Sequence, residues 1–106
     1  MTACGQCYPF AYQEALKWLL LPSRERPKLR VVHGIVVDPW DGHDIAHAWI
    51  ESRGYAYDWQ TIVARGEQPI PIAKFREIWQ PHSMTRYTPR EVIRNTLRFN
   101  HYGPWA

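Results

Sequence analysis

The sequence predicts an α+β fold in which an N-terminal helix packs on an antiparallel β-sheet. Apolar residues recur at helical spacing near the N-terminus, three β-rich segments follow, and helix-start signals reappear near the C-terminus. The predicted order is helix, three strands, short helix, strand and helix, and strands grouped in this way favour an antiparallel sheet. A length of 106 residues suits one domain, over residues 1–106, with a single core.

The first helix and the first strand have the clearest patterns. Apolar residues recur at helical spacing from Cys7 to Leu20, which predicts a mostly buried helix. Pro9 falls in its first turn, where a missing N–H costs nothing. Residues 29–37 are rich in β-branched side chains and predict a strand, and residues 38–42 have the Asp, Pro and Gly of a turn.

Two further strands are predicted to form a hairpin. Residues 45–51 and 55–62 are both strand-like, and the short segment between them contains Arg53 and Gly54. Glycine adopts the dihedral angles that a tight hairpin turn requires, so the two strands are expected to pair as neighbours.

The remaining elements are a short helix, a short strand and a capped helix. Residues 72–79 predict the short helix and residues 84–87 the strand. Thr88 is the predicted N-cap of the last helix, Pro89 occupies its first position, and Glu91 completes a capping box.

Composition and charge exclude several classes of function. The formal net charge is +3 and the pI is near 9.1, but Lys and Arg are interleaved with Asp and Glu, as on a solvated surface rather than a nucleic-acid interface. No apolar run approaches the ~20 residues of a membrane span, and the first ten residues do not resemble a signal peptide. We therefore expect a cytoplasmic protein without nucleic-acid or membrane partners. No acidic cluster indicates calcium, no cofactor is expected, and the oligomeric state stays open.

Cys7 is the candidate nucleophile. A cysteine at a helix N-terminus has its thiolate stabilised by the helix dipole and by unpaired N–H groups, which lowers the pKa of the thiol. The segment Cys4-Gly5-Gln6-Cys7-Tyr8 also fits the C-G-x-C-[WY] pattern around papain-type nucleophiles, with Gln6 at the small-residue position. Cys4 is then a bystander. Without this motif, two buried cysteines acting as small hydrophobic residues would be the better interpretation.

His47 and Asp58 are the candidate base and the residue that orients it. With a two-residue hairpin turn, Trp49 pairs with Asp58 and His47 with Gln60, so all four side chains share a sheet face. A three-residue turn would move Asp58 to the opposite face. We expect the hairpin to pack against the Cys7 helix, with one imidazole nitrogen facing the Cys7 sulfur and the other the Asp58 carboxylate. On that face Trp49 is expected to form one wall of the substrate groove.

Three segments resemble the transglutaminase-like branch of the papain-fold cysteine enzymes. Gly5-Gln6-Cys7-Tyr8-Pro9-Phe10-Ala11 resembles the family's G-Q-C-W-x-F-A stretch around the nucleophile. His47-Ala48-Trp49-Ile50-Glu51 resembles its H-x-W-x-E strand, which carries the base. Tyr57-Asp58-Trp59-Gln60-Thr61 resembles its D-x-T-like strand, which completes the triad. The matches occur in the family's order and span about half the chain.

The resemblance implies a papain-like core and a catalytic triad of Cys7, His47 and Asp58. It implies acyl transfer from an amide of a protein or peptide to Cys7, giving a thioester. Water would resolve the thioester in a peptidase, amidase or deamidase, and an amine would resolve it in a protein-glutamine transamidase. Gln6 and Gln60 are candidate contributors to the oxyanion hole beside the Cys7 backbone N–H. The short segments between the motifs leave the substrate and the acceptor open.

Three alternatives compete with the thiol enzyme. A zinc-binding module would use Cys4 and Cys7 as a ligand pair with His33, His43 and His47 as further candidates, although the last two histidines lie far apart along a strand. A redox protein would use the same cysteines, but the sequence lacks the strand that precedes a thioredoxin-type motif. A catalytically idle relative that binds a partner in the cleft has no need to keep three reactive groups in register.

Overall fold

The computed structural model describes residues 5–105, so Cys4 lies outside the described residues. The elements are α1, Cys7–Leu20; a 3₁₀ turn, Ser23–Glu25; β1, Leu29–Val37; β2, Asp44–Ser52; β3, Tyr55–Tyr57; a π-helical turn, Gln60–Ala64; β4, Ile70–Pro71; α2, Ile72–Trp79; β5, His82–Tyr87; and α3, Pro89–Phe99. None of the helices within residues 5–105 has the length and apolar character to cross a membrane.

Five strands form one antiparallel sheet in the order β4-β3-β2-β1-β5. The central strands β1 and β2 pair along their full length, from Leu29 opposite Ser52 to Val37 opposite Asp44. Helix α1 packs on β2 and against α3. The predicted α+β class, with the N-terminal helix on an antiparallel sheet, is confirmed.

The two faces of the sheet carry separate hydrophobic clusters. Successive residues of a strand point to opposite faces. Ala48 and Ile50 of β2 belong to the cluster that contains the buried residues of α1, and we name this side the α1 face. Trp49 belongs to the cluster that contains Phe75 and Trp79 of α2, on what we name the α2 face. The sheet therefore separates two small cores.

Most of the predicted elements are confirmed. Helix α1, strand β1 and helix α2 have the predicted bounds, and β2 extends the predicted strand by one residue at each end. The capping box of α3 is also present: Thr88 Oγ1 accepts a hydrogen bond from the Glu91 N–H at 3.2 Å, and the Glu91 carboxylate accepts one from the Thr88 N–H at 2.8 Å. The local signals in the sequence were sufficient for these elements.

The hairpin has the two-residue turn on which the site prediction depends. Ser52 pairs directly with Tyr55. Arg53 has φ of 55° and Gly54 has φ of 83°, so both turn residues lie in the left-handed region that the common two-residue hairpin turn requires. This register directs Asp58 to the same sheet face as His47.

The second strand of the hairpin is shorter than predicted. It ends at Tyr57, and the chain then enters the π-helical turn Gln60–Ala64, so the prediction of a strand over residues 55–62 is wrong beyond Tyr57. Asp58 and Thr61 exchange hydrogen bonds between side chain and backbone, and such bonds compete with a strand ladder. The sequence also did not predict β4, which pairs with β3.

Candidate active site

A buried hydrogen bond joins His47 of β2 to Asp58, the residue after β3. His47 Nε2 and Asp58 Oδ2 lie 2.6 Å apart, and both side chains are wholly buried. An ionised carboxylate only accepts hydrogen bonds, so Nε2 must carry a proton. In a neutral imidazole this leaves the lone pair on Nδ1. The pair therefore holds the tautomer that a general base with Nδ1 as its reactive atom requires.

Thr61 fixes the other oxygen of the Asp58 carboxylate. The Thr61 N–H donates to Asp58 Oδ1 at 2.8 Å, and the Thr61 hydroxyl accepts from the Asp58 N–H at 3.1 Å. Burial raises the pKa of Asp58, but the hydrogen bond and the charge of His47, with the bonds from Thr61, outweigh it and leave the pKa below its ordinary value. The carboxylate is thus ionised and oriented from both sides.

Two tryptophans enclose the His47 ring. The Trp79 ring is stacked on it with centroids 5.0 Å apart and planes 15° apart, and the Trp49 ring lies at 6.0 Å and 27°. Nδ1 is buried, and it has no hydrogen-bond partner among residues 5–105. An unpartnered buried nitrogen is unfavourable for folding and is most often explained by a functional contact or a water molecule.

Glu51 holds Trp49 in place on the α2 face. The Trp49 Nε1–H donates to the Glu51 carboxylate at 3.2 Å. The same carboxylate accepts from Arg86 at 3.2 Å and forms an ion pair with Arg76 of α2 at 3.6 Å. His47, Trp49 and Glu51 therefore lie in a row on the α2 face. Glu51 fixes the Trp49 side chain by a hydrogen bond, and the Trp49 ring packs on the His47 ring.

Cys7 begins α1 and is wholly buried. No acidic residue lies in the first turn of this helix, so the partial positive charge of its N-terminus is not offset there. The Cys7 sulfur is disulfide-bonded in this structure. The helix start is suited to stabilising a thiolate, and the thiolate becomes available only in the reduced protein.

Helix α1 does not pack on the face that carries the His47 ring. Cys7 clusters with Ala48 on the α1 face, whereas the His47 ring lies with Trp79 on the α2 face. The expectation that α1 covers the His47 side of the hairpin is therefore wrong. The physical reason is that Ala48 and Ile50 present a small apolar surface to the helix, while the row that contains His47 is already filled from the other side by α2.

The predicted substrate-binding residues have three different environments. Gln6 is exposed and lines a surface cavity of about 240 Å³ beside α1. Gln60 starts the π-helical turn, so it does not pair with His47 as predicted, and its buried Oε1 has no partner among the described residues. Trp49 is wholly buried in the core of the α2 face. The prediction that Trp49 walls a substrate groove is wrong, because neighbouring side chains enclose it completely.

Two residues of this site, Thr61 and Trp79, have no role in the prediction from the sequence. Thr61 is there only part of a motif, although an Asp followed three residues later by Thr is a recognisable signal for reciprocal side-chain and backbone bonds. Trp79 ends the predicted short helix, and the sequence predicts no function for it. No local signal identifies it, because its contact with His47 depends on how α2 docks on the sheet.

The candidate zinc ligands do not converge in the part of the chain that the structure describes. No group of three or more His, Cys, Asp or Glu side chains within residues 5–105 is arranged to hold a metal ion. His33 is enclosed by aromatic rings on the α1 face, and His43 is exposed beside Asp41. Cys4, the other proposed ligand, lies outside the described residues.

No protein-family model matches the chain, and neither a curated protein nor a solved structure matches it. The functional assignment therefore depends on the chemistry of the residues, on their geometry and on the resemblance of the three motifs.

Proposed function

We propose that the reduced protein is a cysteine-dependent acyl-transfer enzyme, with a papain-type, transglutaminase-like core, that acts on an amide of a protein or peptide. The Cys7 thiolate attacks the carbonyl carbon, protonated His47 donates its proton to the leaving nitrogen, and the C–N bond breaks to give a thioester. Water then attacks the thioester while neutral His47 accepts one of its protons, the C–S bond breaks, and the acid is released with regeneration of the Cys7 thiolate and protonated His47. Attack by an amine in place of water gives a new amide.

The observation that carries this proposal is the buried 2.6 Å hydrogen bond between His47 and Asp58. It leaves Nδ1 as the proton acceptor, and Nδ1 has no competing hydrogen bond within the described residues. A carboxylate that orients a histidine in this way is suited to be the third member of a nucleophilic triad. Simple packing would not require an ionised carboxylate and an imidazole in the same dry site.

The proposal requires two changes around Cys7. The disulfide must be reduced, because a disulfide sulfur is not a nucleophile. The thiolate must also reach Nδ1 of His47 past the edge of β2. Among the described residues β3 pairs with β2 only from Ile50 to Ser52, so no strand covers that edge next to His47. Completion of the triad would require the start of α1 to shift toward this unpaired edge upon reduction or substrate binding.

Cysteine labelling of the reduced protein is the first experiment. The full chain is treated with a reductant that is then removed, reacted with iodoacetamide near neutral pH, and analysed by mass spectrometry. We expect Cys7 to react at least about tenfold faster than Cys4 and than a free thiol, because the helix start and His47 favour its thiolate. Equal rates at the two cysteines would contradict the assignment of the nucleophile.

Activity of matched variants is the second experiment. Amide cleavage and transamidation are assayed on glutamine-containing peptides, by release of ammonia and by incorporation of a primary amine. Cys7→Ala is expected to abolish both activities, and Asp58→Asn to reduce kcat by about a hundredfold or more. Cys4→Ala is the matched control and is expected to retain activity. Circular dichroism spectra that match the wild type would show that the variants fold.

A catalytically idle binding module is the second candidate function. The complete burial of His47 and Asp58 and the disulfide at Cys7 favour it, since all three side chains are inaccessible in this conformation. In that case His47 and Asp58 serve only to hold β2 beside the π-helical turn. The two candidates differ in two outcomes: an idle module shows no turnover, and it shows no accelerated labelling of Cys7 after reduction.

A further inference from the structure

An aromatic cavity lies next to the start of α1, one residue beyond Cys7. Its volume is about 290 Å³, close to the lower limit for sites that bind small molecules. It lies between β1, β5 and the first turn of α1, and the residues that define it are Tyr8, His33, Ala46, Met84, Tyr87 and Pro104. Tyr8 directly follows the proposed nucleophile in the sequence, so the cavity lies beside the helical turn that carries Cys7, although Cys7 does not line it.

His33 in the wall of this cavity has no evident structural purpose. It is 6% exposed, and neither ring nitrogen has a hydrogen-bond partner within residues 5–105. Its ring lies against three aromatic side chains: Tyr8 at 4.8 Å, Trp105 at 4.9 Å and Tyr87 at 5.1 Å between ring centroids. An apolar side chain would pack there without the cost of unpaired polar atoms, so the imidazole indicates a ligand that hydrogen-bonds to it.

The charge of the cavity wall limits the kind of ligand. Among the described residues that line it, none is an acid, a lysine or an arginine. Burial lowers the pKa of His33 to about 4, so the imidazole is neutral at physiological pH. An anionic ligand would find no cation. For an ammonium group, attraction to the aromatic faces is weaker than the cost of its desolvation. The cavity therefore suits an uncharged ligand.

We propose that this cavity binds the uncharged, largely apolar acyl portion of the amide substrate, and that His33 is a specificity-determining residue that hydrogen-bonds to it. This inference rests on the proposed function for the identity of the substrate. The tail at residues 101–105 forms one wall: Pro104 lines the cavity, and a methyl group built at Gly103 would lie 2.5 Å from Cε1 of His33. The tail must therefore move slightly for a ligand to reach the ring nitrogens.

Turnover of activated esters tests the length and the charge of the acyl group. The reduced full chain is assayed with p-nitrophenyl acetate, butyrate and hemisuccinate. Butyrate has two more methylenes than acetate, and a buried methylene contributes about 0.8 kcal/mol, so we expect kcat/KM to be about fifteenfold higher for butyrate. Hemisuccinate has the same chain length as butyrate but carries a charge, so its kcat/KM is expected to be about tenfold or more below that of butyrate.

A cavity-filling variant with a matched control completes the test. Ala46→Leu fills the cavity and is expected to remove the preference for butyrate, while Ala73→Leu makes the same change on the exposed side of α2 and should keep it. Equal turnover of the three esters by the wild type, or an unchanged preference in Ala46→Leu, would overturn the inference and leave the proposed function intact.

Binding to the Cys7→Ala variant tests the proposed ligand site in the cavity independently of the proposed acyl-transfer reaction. Butyramide, an uncharged amide, is titrated into this variant and followed by NMR shifts of the His33 ring. Saturable binding that Ala46→Leu abolishes and Ala73→Leu retains supports the site even without turnover. Absence of saturable binding overturns it, whatever the esters show. Unfolding temperatures of all variants are compared to exclude global effects of the substitutions.

Discussion

Replacement of His33 by phenylalanine should make the protein more resistant to acid. Burial lowers the pKa of His33 from an ordinary 6.5 to about 4 in the folded protein. The unfolded chain therefore binds a proton between these values while the folded protein does not, so stability is lost as the pH falls through this window. From pH 7.5 to pH 5.0 the loss amounts to about 2 kcal/mol. His33→Phe keeps an aromatic ring beside Tyr8 and Tyr87 and removes the titration.

The assay is urea unfolding at both pH values, followed by tryptophan fluorescence. The wild type should lose about 2 kcal/mol more than His33→Phe between pH 7.5 and pH 5.0. His43→Phe is the matched control: this histidine is exposed, so the variant should keep the pH dependence of the wild type. If His33→Phe and the wild type lose equal stability between the two pH values, the pKa of His33 is not lowered in the folded protein, and the prediction of a neutral, enclosed imidazole is wrong.

Three further substitutions test the local structure: the first two are measured as a change in the free energy of unfolding, and the third by NMR. Thr61→Val leaves the buried Asp58 N–H unpaired and should lower the free energy of unfolding by about 1–3 kcal/mol. The control Thr96→Val on α3 should lower it by less than about 1 kcal/mol. Equal losses would contradict the hydrogen bonds between Asp58 and Thr61. Thr88→Ala removes the N-cap of α3 and should cost about 1 kcal/mol; no change would mean that the capping box contributes nothing. Gly103 has a φ of 114° and closely approaches His33, so Gly103→Ala should displace the tail and expose the His33 ring to solvent. The exposure is measured by NMR. Unchanged NMR signals of the His33 ring would contradict the packing of the tail.

The hairpin register and the contact between His47 and Asp58 could be predicted because both depend on local properties. A two-residue turn that contains Gly54 determines the register, and the alternation of side chains then determines that Asp58 shares a face with His47. The bounds of α1 and the capping box at Thr88 are local for the same reason. Periodicity and capping act over a few residues and are present in the sequence itself.

The end of β3 at Tyr57 is predictable in principle, but the strand-like composition of the residues that follow conceals it. Strand-like composition continues past Tyr57, and it competes with the bonds between Asp58 and Thr61. The side-chain bonds prevail here because they satisfy buried backbone groups and orient the carboxylate at the same time. The π-helical turn that follows places Gln60 away from the strand position that composition alone predicted.

The sequence alone determined most of the helices and strands, the class of fold and the His47–Asp58 pair. Only the tertiary structure decided which face of the sheet α1 covers, that Trp49 is enclosed, and that Trp79 stacks on the imidazole. Both faces of β2 are apolar enough for a helix to pack on them. The alternation of side chains therefore predicts which residues share a face, but it does not predict which helix packs on which face. That choice depends on which side chains fit together across the whole chain, and packing of this kind has no local signal.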